Sequence, residues 1–202
     1  VRPALYLDPT NGRLHLAAAS DNDGSLYYAA SDDGGLTWSA ARSIDAASGP
    51  GQTARYAALH AAGDHVTLAA RTTEPAFYGL MDVFRLLALH SADGGQTWSG
   101  PVELSSDSDS AGDEPGLSLA GVGHRLYLAY AAGDHILFRR SDDGLAYGDP
   151  VDVGAGLWPS IAQGEDGQGW VAWEDAGSLW WRRYTGDGWD SPEQILTASS
   201  LS

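Results

Sequence analysis

The sequence predicts an all-β protein, a β-propeller of four-stranded antiparallel blades with four blades in this chain. Three observations carry that expectation: a unit that recurs four times, short strands that alternate or run apolar, and a turn motif that recurs with the same flanks. Three segments read SDDGGLTWS from Ser31, SADGGQTWS from Ser91 and SDDGLAYGD from Ser141, and a shorter relative, YTGDGWDSP, starts at Tyr184. Internal repeats of this length define stacked units that cannot bury their faces alone.

Each unit reads strand a, strand b, strand c, turn, strand d. Strand a opens as RPALYL, RYAALH, EPGLSL or WPSIAQ, with Pro3, Ala57, Pro115 and Pro159 in equivalent places. Strand b is RLHLAAA, HVTLAAR, RLYLAYA or GWVAWED, and strand c is SLYYAA, RLLALH, HILFRR or SLWWRR. Strand d is ARSID, PVELS, PVDVG or PEQIL. Units three and four align without a gap from Tyr127/Trp170 to Arg140/Arg183. The blades expected are about 1–50, 51–111, 112–155 and 156–202, forming a single domain over 1–202. A two-sheet sandwich also has short strands, but it does not require one turn motif to recur between strands c and d.

The turn itself reads as structural. Asp33 and Asp93 can accept hydrogen bonds from backbone N–H groups of their own turn, as can Ser31 and Ser91. Gly34, Gly35, Gly94 and Gly95 can take positive φ, and Trp38 and Trp98 can cover the hairpin. One carboxylate per blade leaves these groups too dispersed for paired acid/base work. In a gapless alignment the third copy has Leu145 in place of the second Gly and Tyr147 in place of Thr, a decay tolerable in a fold device.

Composition bounds the partners. There are 27 acidic and 11 basic residues, all of the latter Arg, for a formal charge of −16. Nucleic acid and anionic membrane are therefore excluded as expected partners, because both need clustered positive charge. No cysteine is present, so neither disulfides nor thiolate chemistry is available. No apolar run approaches the ~18 residues that cross a bilayer, and the chain reads as soluble, with a secreted or cell-surface location favoured. No cofactor and no metal is expected. The run SDSDSAGDE places Asp107, Asp109 and Asp113 in a loop resembling a calcium loop, but Ala111 stands at a ligand position and the closing Glu is missing. The six histidines lack metal-ligand spacing.

In a propeller, the d–a and b–c connections share one face and the a–b and c–d turns share the other. The candidate site therefore lies opposite the recurring turns. Before strand a stand Arg2, Arg55 with Tyr56, Glu114 and Trp158. After strand b stand Arg71 and Glu174, against Ala19 and Ala131. Unit two has an expanded b–c connection, TTEPAFYGLMD from Thr72 to Asp82, and long connections on a rigid scaffold carry function.

The recurring turns and their flanks resemble the Asp-box, or BNR, repeats of bacterial sialidases, a family of six-bladed propellers, over all four units. That resemblance implies a glycan-directed module that binds, or in a fuller assembly hydrolyses, a glycoside of the sialidase type. RYAAL resembles the R-I-P-A-L opening of the family, which implies a carboxylate-clamping role for Arg55, with Ala57 where the family has Pro. Arg71 then takes the basic position after strand b, and Asp82 resembles the loop aspartate that serves as acid/base. Glu74, Tyr78 and Glu174 complete the expected surroundings.

Read without the resemblance, Arg55 and Arg71 are loop ion-pair partners of Glu74 and Asp82. The nucleophilic Tyr, its partner Glu and two further Arg of the family have no counterpart here, so the full catalytic set is not expected in this chain. The alternative is a non-catalytic propeller scaffold for protein interaction, or an excised or engineered repeat assembly. Faces carrying Trp180 and similar residues are expected to be exposed, and self-association can then close the ring.

Overall fold

The computed structural model describes residues 2–20, 23–45, 52–76, 81–107 and 116–197. Among them there is no helix, and sixteen strands form four antiparallel sheets of four. The first sheet holds β1 (Arg2–Leu7), β2 (Leu14–Ala19), β3 (Leu26–Ser31) and β4 (Arg42–Ile44). The second holds β5 (Thr53–Ala62), β6 (His65–Ala76), β7 (Met81–Ser91) and β8 (Val102–Asp107). The third holds β9 (Leu117–Val122), β10 (Arg125–Ala132), β11 (His135–Ser141) and β12 (Val151–Ala155). The fourth holds β13 (Leu157–Gln163), β14 (Gly169–Asp175), β15 (Ser178–Tyr184) and β16 (Glu193–Leu196). In every sheet the strands neighbour one another in chain order, the meander of a propeller blade. The fold is the all-β propeller that the repeats predict.

The chain divides into two compact units, Val1–Ser110 and Ala111–Ser202. In the first unit, alternate residues of two sheets make one core. Ala17, Leu26 and Tyr28 meet Leu59, Leu68 and Leu87, all buried. In the second unit, Tyr127, Phe138 and Val153 meet Val171 and Trp173. Trp180 lies opposite Trp173 and packs against this core instead of standing on an exposed face. The sequence shows that Trp180 lies in a strand, but not which side of that strand is covered.

The registers follow the repeats. Tyr127 pairs with Arg140 and Trp170 with Arg183, as the gapless alignment of these two units requires. The unit-two connection is an exception. Thr72 to Ala76 are strand, and β6 continues against β7 as far as Ala76 opposite Met81, so both ends of the expected loop are paired strand. Beyond Thr73, β6 has no β5 partner among the described residues.

The recurring turns are closed by their own side chains. The Asp33 carboxylate accepts from Ser31 Oγ at 2.8 Å, Thr37 N–H at 2.8 Å and Thr37 Oγ1 at 2.5 Å. Asp93 repeats the set with Ser91 and Thr97. Gly34, Gly35, Gly94 and Gly95 all have positive φ. Trp98 packs edge-on to Tyr28 of the first sheet, with ring centres 5.2 Å apart. Trp38 lies against its own Gly35 and stays 40% exposed.

Candidate functional site

The residues singled out in unit two sit at one end of the second sheet, where β5 begins and the β6–β7 hairpin extends. Arg71 lies opposite Tyr56 on β5 and Leu86 on β7. It is 2% exposed, and its guanidinium carbon lies 4.9 Å from the centre of the Phe84 ring. Such a contact is favourable because the ring face is electron-rich, and it grows stronger as water is excluded.

Arg55 enters through a bulge. Ala54 pairs with Thr72 and Tyr56 with Arg71, so Arg55 has no partner across the ladder. It is exposed, and its Nε donates to Thr73 Oγ1 at 3.2 Å. Thr73 lies two residues from Arg71 and shares its side of β6. The Thr73 hydroxyl also meets Thr53 Oγ1 at 2.9 Å.

Glu74 lies on the other side of β6. It accepts from Gln52 Nε2 at 3.1 Å and pairs with Arg85 at 3.5 Å, and Arg85 in turn reaches Glu103 at 2.6 Å. The carboxylates around Arg85 hold its guanidinium above the ordinary arginine pKa, chiefly through the Glu103 hydrogen bond. Asp82 is a backbone partner of Pro75 in the hairpin stem. Tyr78, Glu114, Asp109 and Asp113 lie outside the described residues. In the second unit, Glu174 lies opposite Leu157, and its carboxylate accepts from Gly177 N–H, capping the β14–β15 turn.

A feature absent from the sequence reading lies between the first two sheets, at the end of β2–β3 and the start of β5. It is a cleft of about 240 Å³ lined by Asp23, Leu26, Ile44, Asp45, Gln52 and Thr72 among others. Its floor forms because Gly24 approaches Thr53 where a Cβ would stand 2.6 Å from the threonine methyl, and because Ala54 N–H donates to Gly24 O at 2.7 Å. Asp23 accepts from Tyr27 Oη at 2.6 Å and Ser25 N–H at 3.0 Å. These bonds, the Tyr27 hydroxyl first, hold its carboxyl down at about 2. Thr72 is 1% exposed, and its Oγ1 has no hydrogen-bond partner. A cleft assembled from a turn and two strand ends of different repeats leaves no contiguous sequence signal.

Sheet order, repeat and core together define the class, a β-propeller protein. No family model matches the sequence, and no curated protein matches it. Solved structures with a similar fold include the Penicillium chrysogenum α-L-arabinanase complexed with arabinobiose, at 15% identity and TM-score 0.69 over 98% of this chain and 67% of that one. The GH93 α-L-arabinofuranosidase of Fusarium graminearum with arabinobiose is similar at 16% identity and TM-score 0.67, over 97% of this chain and 66% of that one. An exo-β-1,3-galactanase from Clostridium thermocellum is similar at 9% identity and TM-score 0.60, over 97% and 49%. The chain thus spans about two thirds or less of the length of each of the three, and the likeness is one of fold.

Proposed function

We propose that this chain is a carbohydrate-binding propeller module which, within a fuller assembly, hydrolyses a glycoside. The observation that carries the reading is the fold, shared over 98% of the chain with a propeller whose structure holds arabinobiose. In this reading residues 1–202 act as one propeller domain. Its proposed site centres on Arg55, Arg71 and Asp82, with Glu74 in the same sheet, and Tyr78 and Glu174 are the further binding residues the sequence suggests. The resemblance of RYAAL to the sialidase opening supports an acidic sugar as ligand, because a guanidinium matches a carboxylate with two parallel charge-assisted bonds. Asp82 then acts as proton donor to the leaving group.

Binding is measured by calorimetry against 3′-sialyllactose, N-acetylneuraminic acid and arabinobiose, and turnover with fluorogenic sialosides and arabinofuranosides. Arg55→Ala is expected to weaken acidic-sugar binding about ten- to hundredfold and to leave Tm nearly unchanged, since Arg55 is exposed. Absence of any saccharide binding refutes the reading.

One observation favours the scaffold alternative: Arg71 is buried over Phe84, a position that suits holding the sheet together. That alternative stands if Arg71→Ala lowers Tm and no saccharide binds. Closure of the ring through a second copy belongs to the same proposal and is read by light scattering, where a strict monomer removes it.

A further inference from the structure

The cleft between the first and second sheets has a composition that selects a ligand. Among the described residues its polar side chains are two carboxylates, an amide, two serine hydroxyls and the buried Thr72 hydroxyl, and no cationic side chain lines it. Asp23 and Asp45 offer acceptors only, while Gln52 and Thr72 can donate and accept. Leu26, Ile44 and Ala54 give the same space an apolar wall. At about 240 Å³ the cleft falls below the ~300–1,000 Å³ of sites for drug-sized ligands and matches one small ring.

The Thr72 hydroxyl is the second observation. It is buried on the side of β6 that faces the first sheet, opposite Ala54, and it has no hydrogen-bond partner. A buried hydroxyl without a partner loses its hydration and gains nothing in return. It can recover that loss when a ligand hydroxyl enters beside it. Valine, of the same shape, would fill the position without that cost.

We propose that this cleft is a subsite for one neutral sugar residue, which places a hydroxyl on Thr72 Oγ1, a diol against Asp23 and Asp45, and its C–H face on Leu26 and Ile44. The proposal rests on the carbohydrate-binding reading and deepens it by naming a second sugar class. Uronic and sialic acids are excluded, because their carboxylate would face two carboxylates with no cation between them. The subsite is separate from the Arg55–Arg71 cluster, since Thr72 and Arg71 point to opposite sides of β6.

The full chain is titrated with arabinobiose, galactobiose and 3′-sialyllactose, as wild type and as Thr72→Val, Asp45→Asn and Arg55→Ala. Thr72→Val is expected to keep or raise Tm and to weaken the neutral disaccharides about five- to tenfold. Asp45→Asn, on an exposed carboxylate, is expected to weaken them in the same direction without loss of Tm. Arg55→Ala, at the acidic-sugar site, is expected to weaken 3′-sialyllactose instead. Neutral-sugar affinities that are indifferent to Thr72→Val and Asp45→Asn overturn the subsite and leave the wider reading standing. If 3′-sialyllactose alone binds, and only Arg55→Ala weakens it, the subsite also falls. If none of the three binds the wild type, both fall together.

Discussion

Gly95 illustrates how a single position in the recurring turn is fixed by two separate demands. Its φ of 86° lies where an L side chain is strained, and a Cβ built on it would stand 2.2 Å from the Tyr28 ring. Gly34, at φ 73°, meets only the first demand, because nothing lies within 4 Å of its would-be Cβ. Gly34→Ala is therefore expected to cost about 1 kcal/mol. Gly95→Ala adds overpacking and is expected to cost about 2–4 kcal/mol. Chemical denaturation of the two variants checks the order, and equal losses would mean that Tyr28 yields freely. The sequence marks both glycines as turn residues. It does not show that Tyr28, in another repeat, closes over one of them.

The third hairpin shows the same logic at the scale of an element. Ser39 N–H donates to Ala30 O and Ser99 N–H to His90 O, each nine residues apart, whereas Gly148 N–H donates to Arg140 O, eight apart. One residue has been lost, and it is the second glycine. Leu145 and Ala146 donate to Asp143 as Gln96 and Thr97 donate to Asp93. Tyr147 thus takes the tryptophan position and Ala146 the threonine position, a shift of one from the gapless reading. The Tyr147 hydroxyl is buried, which pushes its pKa up. Ala146→Thr is expected to restore the hydroxyl bond to Asp143, lower that carboxyl further and raise Tm, with carboxyl NMR titration and thermal melts as the readouts. An unchanged Asp143 titration would show that the shortened turn cannot seat a threonine. The four units and their strands were legible because each repeat carries its own periodicity. The deletion was not legible, since a one-residue slip leaves the strand pattern intact and shows only in the ladder.

Across the molecule, the end of the second sheet was legible from Arg55, Arg71 and the long connection. The cleft beside it was not, because Thr72 becomes an orphan only when another repeat packs over it. The same inter-repeat packing governs the pH response. In the first unit His15 is buried, its Nδ1 lies 2.6 Å from Tyr28 Oη, and Tyr28 donates to Gly94 O of the next sheet at 3.1 Å. Burial, then the nearby Arg13, brings the His15 pKa down to about 4 from 6.5. The unfolded imidazole takes up a proton near 6.5 and the folded one does not until about 4, so stability declines as pH falls through that window. The full effect is at most about 3 kcal/mol. The opposing term is the formal charge of −16, whose self-repulsion relaxes on acidification. Salt near 0.15 M screens exposed charges beyond ~8 Å and leaves a buried imidazole nearly untouched. The Asp33 carboxyl, held at about 2 chiefly by the Thr37 hydroxyl, keeps its contribution until the pH falls below about 4 and then loses it. Denaturant midpoints in salt are therefore expected to fall steadily from pH 7 to pH 4.5, and in His15→Asn to start lower and stay nearly flat. A wild-type stability that is constant, or that rises, over this window would show that repulsion outweighs the buried histidine.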